Sequence, residues 1–434
     1  MAARTRGAPP ARRMLAVPAA AAAALLAAGC GGGGGADGDV ELRFSWWGAD
    51  DRHQLTQEVI DLFEEQNPGI TVTAEYTDWD AYWDKLATGT AANDMPDVVT
   101  MEERYLREYS DRGALADLNE LEGLDTSDVD ELVASSGDVE GQKFGVATGV
   151  NVFAVMADPA QFEAAGVEMP DDETWTWEDY VQTSAEVTEG SGGDIAGSQS
   201  IGYNENSFGI YARQQGEALY AEDGSLGFSK ETLEEWFGIV AEMQETEAVP
   251  TAAENVEIEA GGPDQSVLST GRGAMANFWS NQLAAIDGAA EGDVELLRYP
   301  GETEFDRTGM YFKPAMYYSV SAGTDHPEEA ARFVDFLLND VEAGRIILSD
   351  RGLPANTEVR GAIVEDLDDA SARSAEFVEE LRPDIVDGPP PPPIGAGDVV
   401  EIIKRITDDV QFGEITPEEA ADRFIEEVEA ATQE

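Results

Sequence analysis

Residues 40 to 109 alternate between short apolar stretches and amphipathic segments. Apolar and polar residues alternate in Val40–Phe44 and again in Ile70–Tyr76, as they do in half-buried strands. Between these stretches, apolar residues recur at helical spacing from Leu55 until Asn67-Pro68-Gly69 ends the helix. The same pattern then predicts a helix over 81–90, a strand over 97–101 and a helix over 102–109. The order βαβαβα predicts an α/β fold with a parallel sheet, whose strands are followed by loops that share one edge of a cleft.

The rest of the chain carries clear helix start signals. Thr176 is a plausible cap for one helix, and Leu233–Met243 has the apolar spacing of another. Pro327 and Thr416-Pro417 each place a proline in a first helical turn, where its missing N–H is tolerated. Gly388–Pro393 predicts a stiff polyproline connector without hydrogen bonds of its own. No internal repeat interrupts this organisation.

The first 35 residues predict export and anchoring. Four arginines and no acidic residue precede an apolar run, Met14–Ala28, which is too short to span a bilayer. Cys30 is the only cysteine and follows two small residues where a signal peptide would be cut, so it resembles the acylation site of a bacterial lipoprotein. We expect residues 1–29 to be a signal peptide and 30–38 a flexible tether with lipid on Cys30. An ordinary secreted protein with a chance cysteine is the alternative.

The chain is strongly acidic. It has 89 acidic and 26 basic residues, and loss of the four signal-peptide arginines leaves 22 bases against 89 acids, a net charge of −67. Such a surface repels nucleic acid and anionic lipid, so we expect no nucleic-acid partner and membrane contact only through the lipid anchor. The acids are spread along the chain, which favours a solvated acidic shell suited to a salty habitat. A calcium store is disfavoured because no acidic run has the spacing of a calcium loop.

Several short motifs follow one another in a specific order after the predicted leader. They are Phe44–Gly48, Asp78-Trp79, Pro96–Val99, Tyr105-Leu106, Gly113–Leu118, Asn277–Asn281, Lys313-Pro314 and Arg351–Asn356. Each motif alone is weak, but their order resembles that of family 1 solute-binding proteins. These are the extracellular sugar-binding lipoproteins of ABC importers, with maltose-binding protein as the best-known relative. The resemblance covers nearly the whole chain after the leader.

The resemblance implies a two-lobed, periplasmic-binding-protein-like α/β fold of type II. The ligand cleft would lie between lobes joined by a multi-strand hinge. The expected lobes are residues 39–148 with 318–352 and residues 149–317 with 353–434. The expected crossings between them lie near Gly145–Val150, near Ala315–Val320 and near Gly352. Family membership also implies a monomer that delivers sugar to ABC permease subunits, without a cofactor or metal.

Four tryptophans are candidates for the surface on which a sugar would stack. A pyranose has apolar C–H faces and a polar rim, so it needs a flat aromatic surface and fixed hydrogen-bond partners. The candidates are Trp46, Trp47, Trp79 and Trp279. Alternation along a strand sends Trp46 and Trp47 to opposite faces, so one would line the cleft while the other packs beneath it. Trp279 is the strongest candidate, because it follows a predicted strand, Gly273–Phe278, and precedes a polar pair, Ser280-Asn281.

The other tryptophans with a predicted place, Trp83, Trp177 and Trp236, lie on helices and are expected in the core. Polar candidates for the sugar rim come from predicted loops and strand ends. They are Asp51, Asp78, Glu102, Asn151, Asn206 and Asn281, with Arg213 and Asn356 as weaker ones. What distinguishes Glu102 and Asn151 from the many solvated polar residues is their position at a strand end or hinge.

Two rival classes of function fit part of this pattern. A secreted, lipid-anchored glycosidase acting on oligosaccharides would also combine carboxylates with aromatic platforms. The chain has only two histidines, however, and no nucleophile elbow, phosphate-binding loop or Cys/His cluster. An importer subunit for iron or peptide is the third class, but iron would favour clustered tyrosines or histidines. The favoured interpretation is a receptor that closes around a neutral sugar or oligosaccharide and makes or breaks no bond.

Overall fold

The computed structural model describes residues 40–290, 293–305, 307–386 and 388–432. The predicted signal peptide, the tether and Cys30 lie outside these residues. The described strands are β1 (Val40–Trp47), β2 (Ile70–Thr77), β3 (Val98–Met101), β4 (Asp138–Val139), β5 (Gln142–Lys143), β6 (Val146–Ala147), β7 (Gly149–Asn151), β8 (Phe153–Ala157), β9 (Ala196–Ser198), β10 (Gly273–Trp279), β11 (Glu295–Leu297), β12 (Lys313–Pro314), β13 (Tyr317–Val320) and β14 (Leu353–Pro354).

Helices separate these strands along most of the chain. They are α1 (Asp50–Gln66), α2 (Trp79–Ala91), α3 (Glu103–Asp111), α4 (Pro159–Ala165), α5 (Trp177–Gly190), α6 (Glu205–Gln214), α7 (Lys230–Glu245), α8 (Ala252–Gly261), α9 (Leu283–Ala290), α10 (Pro327–Asn339), α11 (Val341–Ile347), α12 (Thr357–Ile363), α13 (Asp369–Leu381), α14 (Val399–Gln411) and α15 (Pro417–Thr432). No helix in the described ranges is both long and apolar enough to cross a membrane.

The first sheet has the strand order β2-β1-β3-β13-β6. β1 runs parallel to β2, from Val40 opposite Ile70 to Trp47 opposite Thr77, and parallel to β3. The predicted parallel βαβαβα unit is therefore confirmed. β13 joins this sheet antiparallel to β3 although it lies more than 200 residues further along the chain. Local periodicity gives no sign of that pairing.

The second sheet has the order β11-β8-β10-β9. All five residues of its central strand β8 are buried, which suits a strand covered on both faces. β10 pairs antiparallel with β8, so that Trp279 lies opposite Phe153 at the end of the ladder. This pairing places the last residue of β10 at one end of the sheet.

A small third sheet, β12-β7-β14, lies next to the segments near Gly145–Val150, Ala315–Val320 and Gly352 that were predicted to cross between lobes. β7 follows β6 of the first sheet and precedes β8 of the second. The strands approach so closely that a β-carbon on Gly149 would lie 2.4 Å from the Arg351 carbonyl oxygen. Gly352 has φ +79°, a conformation that glycine adopts without strain. Only glycine fits both positions, so the close packing of this third sheet depends on them.

The predicted helix starts agree with the structure. Thr176 and Asp179 form a reciprocal capping box at the start of α5. Thr416 and Glu419 exchange the same hydrogen bonds before α15, at 2.9 Å and 3.2 Å. The expectation that Trp83, Trp177 and Trp236 belong to the core is also confirmed, because all three are buried.

Candidate ligand-binding site

A cavity of about 290 Å³ lies between the carboxyl end of β3 and elements of the second half of the molecule. On the β3 side, its wall is the turn into α3, with Glu102, Glu103 and Arg104. The opposite wall includes Asn204, Glu205, Asn206, Arg213, Trp279, Tyr311, Lys313, Pro389, Pro390 and Pro392. Open α/β sheets bind ligands at the carboxyl ends of their strands, and this cavity has that location.

Charged side chains that line the cavity form ion pairs with one another. The Lys313 ammonium lies 2.9 Å from Glu103 Oε2 and 3.5 Å from Glu102 Oε1, and Arg104 Nε lies 3.0 Å from Glu102 Oε2. Burial alone would raise the pKa of Glu102, but Lys313 and Arg104 hold it below its ordinary value. Burial raises the pKa of Glu205, and the positive charges of Arg104 and Lys313 only partly oppose that rise. The pKa values of Glu102 and Glu205 are therefore shifted in opposite directions within one cavity.

The first turn of α6 supplies a fixed polar rim. Asn204 caps this helix, and its Oδ1 accepts from the Asn206 backbone N–H at 2.9 Å and from Asn206 Nδ2 at 2.8 Å. The Tyr311 hydroxyl donates to Asn206 Oδ1 at 3.2 Å. The Arg213 guanidinium lies 5.0 Å from the centre of the Tyr311 ring and donates to the Gly309 carbonyl at 2.9 Å. These contacts orient the rim before any ligand arrives, which lowers the entropic cost of binding.

Trp279 provides an aromatic wall beside this rim. Its ring centre lies 4.9 Å from that of Phe153, and the Lys313 ammonium lies 5.6 Å from it. The side chain is partly exposed and lines the cavity. An indole held in this way offers a flat apolar surface with polar partners around it, the combination that a pyranose ring requires.

Three predicted site residues come together here, namely Glu102, Asn206 and Trp279. Arg213, a weaker candidate, lies with them. Sequence reasoning missed Glu205, Tyr311 and the contribution of the prolines. The sequence did predict a stiff polyproline connector in this segment, but it gave no indication that the connector would line the cavity.

Of the neighbouring pair Trp46 and Trp47, Trp46 is the tryptophan that is packed away from the surface. Its side chain is only 1% exposed, packs 4.9 Å from Phe44 and donates through Nε1 to His53 Nδ1 at 3.1 Å. Trp47 points to the opposite face, as strand alternation predicted, where it meets Trp79 at 5.1 Å in an edge-to-face contact. Trp46 is thus buried within the first sheet, whereas Trp47 stays partly exposed.

The remaining predicted residues do not line the cavity. Asp51 is exposed in the first turn of α1, and exposed Asp78 caps α2 by accepting from the Ala81 N–H at 3.1 Å. Trp47 and Trp79 are partly buried in an aromatic cluster beside α2. Asn151 and Asn281 line a separate small space of about 20 Å³ near the hinge sheet. The ligand contacts of all these residues, and of Trp46, stay predictions.

The sequence profile of the family described as bacterial extracellular solute-binding protein matches residues 58–372, well over half of the chain. The chain belongs to this family. The solute-binding protein is 26% identical to an uncharacterized lipoprotein of Streptomyces antibioticus over 338 residues, which cover 74% of this chain and 72% of the relative.

Solved structures agree with that assignment. A family 1 extracellular solute-binding protein from Alicyclobacillus acidocaldarius is 26% identical, with a TM-score of 0.76 over 92% of this chain and 99% of the other. A periplasmic oligogalacturonide-binding protein from Yersinia enterocolitica is 23% identical, with a TM-score of 0.77 over 91% of this chain and all of the other. At that identity, the second likeness shows the fold. The two-lobed solute-binding fold predicted from the sequence is thus confirmed.

These comparisons favour binding over catalysis. The family and both solved relatives are binding proteins, and nothing among them supports the glycosidase alternative. Within the described ranges, no group of three or more His, Cys, Asp or Glu residues is arranged to hold a metal ion.

Proposed function

We propose that this solute-binding protein captures a neutral sugar or oligosaccharide in the cavity and delivers it to the permease subunits of an ABC importer. The observation that carries the proposal is the Trp279 indole, which stands as an aromatic wall beside the fixed rim of α6. A related fold binds an oligogalacturonide in the protein from Yersinia enterocolitica, so a sugar chain suits this architecture.

A neutral ligand is favoured by the way charges are already matched in the cavity. Lys313 and Arg104 each face a carboxylate within 3.0 Å. An acidic sugar would have to compete with Glu102 and Glu103 for these cations. A sugar hydroxyl can instead accept a hydrogen bond from Lys313 or Arg104, or donate one to the carboxylates, without breaking these ion pairs. Hydrogen bonds to ionised partners are strong.

Capture would proceed by closure around the ligand. Glu102 and Arg104 follow β3 of the first sheet. Trp279 ends β10 of the second sheet, and Asn206 lies on helix α6. A sugar that touches both groups has higher affinity for the closed form and shifts the open–closed equilibrium towards it. The lobes that move are proposed as residues 39–148 with 318–352 and residues 149–317 with 353–434.

The proposal also places the protein at the cell surface as a monomer. Residues 1–29 would direct export, and Cys30 with the tether 30–38 would hold the protein on the extracellular face of the membrane. The similarity to the Streptomyces antibioticus lipoprotein supports this anchoring. The acidic shell would adapt the exposed protein to salt.

A thermal-shift screen against a carbohydrate panel tests the proposal first. A sugar present at about 100 times its dissociation constant adds about 2.7 kcal/mol of stability, which is readily visible as a higher melting temperature. Sugars that shift the melting temperature are then titrated by calorimetry. A complete absence of binding across mono- and oligosaccharides would refute sugar capture.

Trp279→Ala then tests the site itself. We expect at least a tenfold loss of sugar affinity, about 1.4 kcal/mol, because the stacking surface is removed, while the ligand-free melting temperature stays close to wild type. The matched control is Trp236→Ala, since Trp236 is fully buried in α7. That change should cost about 3–5 kcal/mol of stability without ligand. Sugar recovered in cleaved form after long incubation would instead favour a glycosidase.

A further inference from the structure

Glu205 is a carboxylate of the cavity that has no counter-ion. It is the first residue of α6, is half-buried and lines the cavity. Among the described residues, no lysine, arginine or histidine forms an ion pair with it. Its Oε1 accepts from Asn206 Nδ2 at 3.3 Å, and the Tyr220 hydroxyl in the same lining makes no hydrogen bond to it. A ligand in the cavity would meet this carboxylate without a cation beside it.

The other two acidic residues of the lining differ from Glu205 because each is matched by a cation. Glu103 Oε2 lies 2.9 Å from the Lys313 ammonium. Glu102 lies 3.0 Å from Arg104 Nε and 3.5 Å from the same ammonium. Paired opposite charges largely cancel in their effect on a ligand group that lies further away. Glu205 therefore supplies the unbalanced negative charge of this part of the cavity.

Two further cations around the cavity are held by other partners. The Arg213 guanidinium donates to the Gly309 carbonyl at 2.9 Å. Lys404, on α14, lies close enough for Glu205 to raise its pKa, but its ammonium pairs with Glu259 Oε1 at 3.0 Å. Within the described part of the chain, neither cation forms an ion pair with Glu205.

Two opposing effects act on the charge of Glu205. Burial raises its pKa, whereas its place in the first turn of α6 favours the negative form through the helix dipole. The charged and titratable groups that face it are Arg104, Lys313, Lys404, Glu102, Tyr220 and Tyr311. We expect the carboxylate to be ionised near neutral pH and to take up a proton in mild acid, because its pKa lies above the ordinary value of 4.5.

A ligand that carries a carboxylate would be disfavoured beside Glu205. Like charges repel more strongly where water is partly excluded, and Lys313 and Arg104 are already paired. A neutral hydroxyl can instead donate a charge-assisted hydrogen bond to the Glu205 carboxylate. We propose that Glu205 determines the charge selectivity of the site, admitting sugars with uncharged substituents and excluding uronic acids, the sugars that carry a carboxylate. This inference rests on the proposed function, because it assumes that the cavity holds a sugar.

Sugars that differ in charge but hardly in size test this inference by calorimetry near neutral pH. The probes are glucuronamide beside glucuronate and galacturonamide beside galacturonate. A third pair is the tightest-binding neutral sugar of the carbohydrate panel beside the same sugar oxidised to a uronate at one terminal ring. In the wild type, we expect the neutral member of any pair that binds to bind at least tenfold more tightly than the acidic member. In Glu205→Gln, this advantage should fall to threefold or less, because the amide keeps the size of the side chain but carries no charge.

The pH dependence supplies a second readout. Because the pKa of Glu205 is raised, this side chain loses its charge at a higher pH than a carboxyl of ordinary pKa. Lowering the pH to about 5 should therefore reduce the wild-type preference for the neutral sugars while the uronates stay ionised. Glu205→Gln lacks the titrating group, so its preference should stay constant over the same range. A wild-type preference that changes no more than that of the variant would contradict the inference.

A matched control separates charge selectivity at the site from the general acidity of the protein. Glu217 lies just beyond the other end of α6, does not line the cavity and accepts from the Ser229 N–H at 3.0 Å. Glu217→Gln removes one negative charge and should keep the wild-type preference for neutral sugars. Both glutamine variants should melt close to the wild type without ligand, because neither substitution breaks an ion pair of the described residues. If Glu205→Gln does not fold, Glu205→Ala serves for the same comparison.

Failure of this inference can be told apart from failure of the proposed function. If the wild type binds a uronate as tightly as its neutral partner, the site does not select by charge. If Glu205→Gln gains no affinity for any of the uronates, or if Glu217→Gln relaxes the preference equally, Glu205 is not the selecting residue. In each of these cases the proposed function stands as long as neutral sugars bind. If no neutral sugar of the panel binds, the proposed function fails as well.

Discussion

Asp130 is a buried carboxylate whose replacement by asparagine should measurably destabilise the protein. It is 1% exposed and accepts from Arg360 Nη2 at 2.9 Å. Arg382 donates to it twice, at 3.0 Å and 2.5 Å, and the Leu132 N–H donates at 3.2 Å. This cluster joins the segment before β4 to α12 and to the turn that follows α13, more than 200 residues further along the chain.

The size of the effect follows from what each arginine retains. Removing one partner of a buried ion pair typically costs about 3–5 kcal/mol, because a charge stays buried without compensation. Arg360, which is 4% exposed, still has Glu379 at 2.9 Å and the Pro354 carbonyl at 2.8 Å. The Arg382 side chain is 29% exposed and can turn towards water. We therefore expect Asp130→Asn to lower the free energy of unfolding by about 3 kcal/mol, at the low end of that range.

Urea unfolding followed by tryptophan fluorescence measures this change at neutral pH. The matched control is Asp94→Asn, in which the same chemical change is made at an ion pair with Arg43. The Asp94 side chain is 73% exposed, so the control should cost no more than about 1 kcal/mol. Equal losses in the two variants would refute the argument that burial makes the Asp130 cluster strong.

The pH dependence supplies an independent check. Burial alone would raise the pKa of Asp130, but Arg382 and Arg360 hold it below its ordinary value of 3.8. A carboxylate with a lowered pKa contributes stability that is fully present above its unfolded-state pKa and is lost as the pH falls through the folded-state pKa. The difference between wild type and Asp130→Asn should therefore shrink in acid below pH 3.8. A difference that stays constant into acid would show that the charge of Asp130 is not responsible.

Two further predictions concern the whole chain. Cys30→Ser should release the protein into the medium or leave it uncut, and a variant of mature mass that still fractionates with membranes would contradict the lipid anchor. The melting temperature should rise as sodium chloride goes from millimolar to molar concentration, because screening relieves the self-repulsion of a chain with a net charge of −67 after loss of the signal peptide. A flat or falling curve would show that the acidic surface is no adaptation to salt.

Local pattern was sufficient for much of the first sheet and for the helix starts. Alternation in Val40–Phe44 and helical spacing from Leu55 gave β1 and α1 because burial on one face imposes a period on the sequence. The capping pairs at Thr176 and Thr416 were readable for a similar reason, since each depends on side chains only three residues apart. Position at a strand end also singled out Glu102, which lines the cavity.

Tertiary structure decided which of the candidates meet. Trp46 and Trp47 differ by one position in sequence, but only the pairing of β1 within its sheet shows that Trp46 is covered. Lys313 reaches Glu102 and Glu103 because β12 pairs with β7 in the hinge sheet, a contact between segments about 160 residues apart. No local period encodes such a contact.

The sequence by itself thus determined the alternation of strands and helices, the acidic surface and Trp279 as the leading aromatic candidate. Only the tertiary structure decided that Trp279 and the proline run line the same cavity and that Asp130 is paired with two arginines. The physical reason is the range of the interactions. Periodicity and capping act over a few residues, whereas cavities and buried ion pairs are made by side chains brought together from distant parts of the chain.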